Sequence, residues 1–283
     1  MRRGPRNKWL VGLLLGLFAV LGLLGAAPSP AEAQNWAKNW EWYAAGFVGG
    51  AFPNNDDFKV TIDSQLVAPP PPGAVTTTEA KVRDGTFLAS PLVGVKGGVC
   101  PSALPNFCAE LEFDHFNPTL DTQITAGNFT FAPGVFANSA FVNKVDLSVW
   151  DLGLNLIGRV PFLMESGYPL GGRAHLYAGA GPAFVWTKAR DQCQTFGVGS
   201  FCGGTDTNFS VGVQALGGLK FFITKNLALF GEYKYKHWRS EFNFKGSGSF
   251  TAGGATTTFN DTTKIKDLDF NVNLFSVGLA LHF

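Results

Sequence analysis

Beyond Ala27 the sequence holds no apolar run long enough to cross a bilayer as a helix, which takes about 20 residues. Charge is scarce as well. Asp, Glu, Lys and Arg make up 15% of 283 residues, and a formal net charge of +1 excludes nucleic acid as a partner. The sequence has four cysteines, and none directly follows the amino-terminal apolar run, so a lipid-modified amino terminus is not expected. The close pairs Cys100/Cys108 and Cys193/Cys202 lack C-x-x-C spacing and have no His beside them, which argues against the rival reading as zinc ligands. No nucleotide, haem or zinc motif occurs, and no cofactor is expected. Glycine (35) and phenylalanine (27) are plentiful instead.

Arg2, Arg3, Arg6 and Lys8 precede the apolar stretch 9–27, which Pro28 and Pro30 break. Ala31 and Ala33 put small residues at the two positions a signal peptidase reads. Residues 1–33 are therefore expected to be a cleaved export signal, and 34–283 one mature domain. The alternative is an uncleaved anchor, because the run approaches spanning length. Four cysteines in an exported segment suit an oxidising compartment.

Eight segments alternate or run apolar: 42–52, 86–99, 107–116, 146–162, 173–188, 208–223, 226–244 and 268–283. The links 53–84, 117–145, 189–207 and 245–267 are long and rich in Pro, Gly, Thr and Asn, as loops are. The links 100–106, 163–172 and 224–226 are short. This rhythm predicts an all-β fold, an eight-stranded antiparallel transmembrane β-barrel with long extracellular loops and short periplasmic turns. The two cysteine pairs then lie at opposite ends, farther apart than the ~7 Å between Cα atoms that a bridge tolerates. Bridges Cys100–Cys108 and Cys193–Cys202 follow.

Alternate residues of a strand face opposite sides. In 107–116, Ala109, Leu111 and Phe113 oppose Glu110, Glu112 and Asp114. In 146–162, Trp150, Leu152, Leu154 and Leu156 oppose Asp151, Asn155 and Arg159. In 208–223, Phe209, Val211, Val213, Leu219 and Phe221 oppose Ser210, Gln214 and Lys220. In 226–244, Leu227, Leu229, Tyr233 and Tyr235 oppose Glu232, Lys234 and Lys236. A greasy outside and a charged inside is what lipid exposure demands. The lumen of eight strands is only as wide as the side chains that fill it, and charges there must be paired. Glu110, Glu112, Asp114, Asp151, Arg159, Lys220, Glu232, Lys234 and Lys236 thus form either a plugging ion-pair network or a narrow ion path. Segments 42–52, 86–99 and 173–188 hold too much Gly and Ala to orient.

Aromatic residues cluster near strand ends, as in interfacial girdles. Trp36, Trp40, Trp42, Tyr43, Phe221, Phe222 and Phe283 would form one girdle, and Trp150, Trp186 and Trp238 the other. In the last segment Phe275, Val277, Leu279, Leu281 and Phe283 share a face, while Asp269, Asn271 and Asn273 continue that phase. The strand therefore leaves the membrane, or bulges, near Leu274.

The stretches CAELEFDHF (108–116), HLYAGAGPAF (175–184), LFGEYKYKHW (229–238) and NLFSVGLALHF (273–283) carry a resemblance. Over about residues 40–283 the chain resembles the OmpA-like, opacity-porin type of outer-membrane barrel. The resemblance implies an outer-membrane location among lipids including lipopolysaccharide, and a monomer. It also implies that the pattern Phe275, Val277, Leu279, Leu281 and Phe283 is read by the outer-membrane assembly machinery. A structural or surface-interaction role follows, with host or matrix ligands meeting the four long loops. Small barrels also include lipid A deacylases, and His237 and Ser240 are the residues to weigh for that alternative. Three residues apart, they face opposite sides of a strand, and the H-x-S spacing is missing because position 239 is Arg. No catalytic residue is expected.

Overall fold

The computed structural model describes residues 40–54, 56–68, 75–125, 129–131, 134–136, 140–191, 194–196, 199–202, 204–252 and 255–283. Side-chain surroundings are described over 40–54, 86–120, 144–190 and, with gaps, 204–283. The chain runs through β1 (Trp40–Pro53), β2 (Asp56–Ala68), β3 (Val75–Leu88), β4 (Ser90–Pro101), β5 (Phe107–Phe116) and β6 (Thr119–Thr125). The small pair β7 (Phe129–Phe131) and β8 (Gly134–Phe136) follows, then the long strands β9 (Ala140–Met164) and β10 (Gly172–Asp191). Last come β11 (Gln194–Phe196), β12 (Gly199–Cys202), β13 (Thr205–Phe222), β14 (Leu227–Ala252) and β15 (Ala255–His282).

β1, β4, β5, β9, β10, β13, β14 and β15 pair antiparallel in a closed ring. The ring closes where β15 lies against β1, from Tyr43↔His282 to Pro53↔Val272. Closure leaves no edge to expose to lipid. Among the described residues no helix is long and apolar enough to cross a membrane.

Among the described residues, the four long links are largely strand. β2 takes over from β1 against β15 (Lys59↔Lys266), β3 leads into β4, and β6 prolongs β5 against β9 (Thr119↔Asp146). β2 pairs with β3, and β3 with β6 (Thr86↔Asp121). β14 and β15 stay paired as far as Ala252↔Ala255. The wall therefore rises as a second storey beyond the expected rim. β14 alone has 26 residues, where about 9–11 cross a membrane. Threonine and the other β-branched residues of 58–62 and 75–78 favour strands, whatever their polarity suggests.

The two storeys are built inside out relative to each other. On β15, Phe275, Val277 and Leu279 are exposed over buried Ser276, Ala280 and His282. Above Leu274 the same alternation continues, but Leu268, Phe270 and Val272 are buried and Asp269, Asn271 and Asn273 face outward. No bulge marks the change, since β15 stays in step with β14 from Leu268 to Leu281. The outer surface passes from lipid-like to water-like within one turn of the pleat. Tyr233 and Tyr235 stand at this boundary and donate their hydroxyls to Asn273 and Asn271.

Glycine has a specific use inside the lower storey. Tyr43 pairs with Gly98, Phe47 with Gly94, Tyr177 with Gly218 and Phe230 with Gly278. A Cβ on any of these four glycines would collide with the ring of its partner. The absent side chain lets each aromatic ring lie flat against the neighbouring strand.

Candidate functional site

The lumen of the lower storey holds a connected set of charges. Lys236 Nζ lies 2.6 Å from Asp114 Oδ2 and 2.5 Å from Asp151 Oδ1, and all three side chains are sealed from solvent. Lys234 pairs with Glu112 and lies 3.4 Å from Glu232 Oε1. Lys96 reaches Glu232 Oε2 at 2.5 Å and Glu110 Oε2 at 3.5 Å. Tyr43 donates to Glu110 (2.7 Å), Tyr177 to Glu232 (2.9 Å) and Asn155 to Glu110 (3.2 Å). Three lysines thus meet five carboxylates. One oxygen on each of Glu112, Asp114, Asp151 and Glu232 has no hydrogen-bond partner among the described residues. Desolvated charges persist only when paired, so this cluster ties β4, β5, β9 and β14 together across the bore.

Arg159 and Lys220 stand apart from that cluster, at the short-turn mouth. Arg159 forks onto Glu41, with Nη1 donating to Oε1 at 2.7 Å. His282 donates from Nδ1 to the same oxygen at 2.8 Å, which leaves Nε2 to accept from Lys220 Nζ at 3.3 Å. Lys220 also lies 4.3 Å from the centre of the Tyr43 ring. Cys100 and Cys108 are bonded beside this mouth, clamping the turn between β4 and β5. A small cavity separates the mouth from the central cluster and is lined by Tyr43, Lys96, Glu110, Arg159, Tyr177 and Lys220.

Above the charges the bore turns apolar. Trp238 stacks on Phe270 (ring centres 4.8 Å apart, planes 7° apart) and meets Phe116 edge-on at 6.3 Å. Leu92, Val149, Val272 and Leu274 complete a buried layer with these rings. Leu268, Phe242 and Phe244 continue it upward.

Several expectations need correction. Trp238 belongs to this inner layer and not to a girdle, because a strand in water carries its apolar face inward. Tyr43 and Phe222 are likewise buried, whereas Trp40, Trp42, Trp150 and Trp186 are exposed. His237 faces outward, bonded to Asn271 Oδ1, while Ser240 faces inward against Ser210, so the two do not meet. Lys96, Tyr177 and Glu41 escape the sequence reading, and Tyr43 belongs to the bore and not to the girdle expected of it. For Lys96 the signal was present, since Val93, Val95 and Val99 hold the opposite phase of β4. Phe275, Val277, Leu279 and Phe283 are exposed, and Leu281 is half-buried, all on the outer face of β15. Ala31, Ala33, Trp36, Cys193 and the side chain of Cys202 lie outside the described residues. Among the described residues no group of acidic, His or Cys side chains is placed to hold a metal ion.

A family model described as an outer membrane protein beta-barrel domain matches residues 17–283. No curated protein matches the sequence. Among solved structures, the outer membrane protein OprG from Pseudomonas aeruginosa is similar at 15% identity and a TM-score of 0.44, over 87% of this chain and 97% of that one. Neisserial surface protein A is similar at 11% identity and a TM-score of 0.38, over 86% of this chain and 97% of that one. Ail, the attachment invasion locus protein of Yersinia pestis, is similar at 10% identity and a TM-score of 0.36, over 87% and 99%.

Proposed function

The chain belongs to the outer membrane protein beta-barrel domain family, and from that premise we propose a non-enzymatic outer-membrane scaffold whose lumen is closed by its own side chains. The observation that carries this reading is the pair of stacked layers in the bore. Lys236 is locked between Asp114 and Asp151, and the buried Trp238–Phe270 stack follows on the same strand. A hydrated ion entering from outside would first lose its water to an apolar layer and then break ion pairs. The lower storey sits among outer-membrane lipids, lipopolysaccharide included, after the assembly machinery reads the Phe275–Phe283 pattern. The upper storey and the four long links that build it meet host or matrix ligands.

Planar-bilayer recording of the refolded protein tests closure. No stable conductance step is expected. Steady passage of solutes larger than simple ions would sink the closed reading, and small cation-selective steps would favour the narrow path instead. Unaltered lipid A mass spectra on overexpression are expected of a protein that does not hydrolyse lipid A.

A further inference from the structure

The cavity beside the short-turn mouth measures about 20 Å³, room for one or two water-sized particles. Its wall carries three cations, Lys96, Arg159 and Lys220, against one carboxylate, Glu110. The first two cations are answered. Lys96 meets Glu232 and Glu110, and Arg159 forks onto Glu41. Glu110 is answered as well, with its oxygens turned to Tyr43 and Asn155.

Lys220 differs. Among the described residues its ammonium meets His282 Nε2 at 3.3 Å and the rings of Tyr43 and Tyr177 at 4.3 and 5.9 Å, none of them a carboxylate. The side chain is half-buried, and an ammonium drawn out of water is costly to keep without a counter-charge. A second group on the same wall is also unmet. His175 is buried, and its Nε2 donates to Pro169 O at 3.0 Å, since a carbonyl can only accept. Its Nδ1 is buried with no hydrogen-bond partner among the described residues.

We infer that this cavity binds one small monovalent anion, chloride, with Lys220 as its counter-ion and Nδ1 of His175 as a second donor when that nitrogen carries a proton. A monatomic anion little larger than water suits the space. Ile157 and the bonded Cys108 close the rest of the wall without offering a donor, so a sulfate or phosphate would be too large and under-served. Chloride supplies Lys220 with the negative charge that Glu41, Glu110 and Glu232 spend on other partners. The site is a pocket off the mouth. It stands whether or not the lumen conducts, and its failure would leave the closed bore untouched.

The test uses the full protein refolded in phosphatidylcholine vesicles, with urea unfolding followed in sodium chloride and in sodium gluconate at equal ionic strength. Gluconate is too large for the cavity. With chloride at about ten times its dissociation constant, the folded-to-unfolded ratio of wild type should exceed that in gluconate by about tenfold. Lys220→Met should respond by less than about twofold. Lys225→Met, at an exposed lysine of the neighbouring turn, should respond as wild type does. Equal stability of wild type in the two salts overturns the inference, and so does a full chloride response in Lys220→Met. Should that variant not fold, crystals of wild type grown in sodium bromide decide. An anomalous peak in contact with Lys220 Nζ is expected, and a cavity holding only water overturns the inference.

Discussion

Lys236 Nζ and Asp151 Oδ1 stand 2.5 Å apart across the bore, joining β14 to β9 with both side chains shut off from solvent. The same ammonium serves Asp114 on β5, so one lysine holds three strands. Because carboxylates outnumber lysines in this cluster, its members are not equivalent. Lys236→Met should destabilise the folded barrel by about 3–5 kcal/mol, since two buried carboxylates lose their counter-ion. Asp114→Asn should cost much less, since it relieves an excess of negative charge. Urea unfolding in vesicles, followed by tryptophan fluorescence, ranks the two. Equal losses would contradict an acid-rich cluster.

The change of solvent along the wall gives a second expectation. Val277 is exposed on the lipid-facing part of β15, and Glu241 is exposed on β14 above the boundary. Val277→Lys should cost about 2–4 kcal/mol of membrane stability. Glu241→Lys should change it by less than about 0.5 kcal/mol. Comparable losses at both positions would place the membrane boundary higher than Asn271.

How much of this was legible in the sequence depended on which solvent each strand faces. In β5, β9, β13 and β14, aliphatic residues alternate with charges, and only a lipid-facing wall makes sense of that. The upper storey also alternates, but its outer face is Asn, Asp, Thr and Lys, which in a linear reading look like loop residues. Asp269, Asn271 and Asn273 therefore appeared as a break in β15 when the backbone continues unchanged. Trp238 misled for the same reason, because an aromatic near a strand end reads as a girdle until the inversion is known. Lys96 shares its phase of β4 with Gly94 and Gly98, whose purpose appears only when Phe47 and Tyr43 are seen lying across them.

Those glycines yield a contrast between neighbours. Gly98 faces the bore beneath the Tyr43 ring, whereas a Cβ on Gly97 would meet only Tyr43 O, at 3.5 Å. Gly98→Ala should displace Tyr43, break its 2.7 Å bond to Glu110 and cost about 1–3 kcal/mol. Gly97→Ala should be tolerated. Unfolding midpoints in the same vesicles decide, and a silent Gly98→Ala would show that the ring has room to move.

The Cys100–Cys108 bond closes a short loop, its ends 8 residues apart in sequence. Chain-entropy arguments allow such a bond about 2–3 kcal/mol. Cys100→Ser/Cys108→Ser should therefore fold and remain heat-modifiable, but unfold at lower urea. Peptide mapping of the unreduced protein should recover Cys193 with Cys202, and any crossed pair would contradict the topology.

The inversion along β15 also guards the alignment of the chain. A slip of one residue against β1 would turn Phe275 and Val277 into the charged bore. The same slip would push Asp269 and Asn271 into the aromatic layer above. Each storey would reject the error on its own, and a continuous strand obliges both to reject it together. Misassembly of this barrel should therefore be all-or-none, with few half-correct closures to trap it.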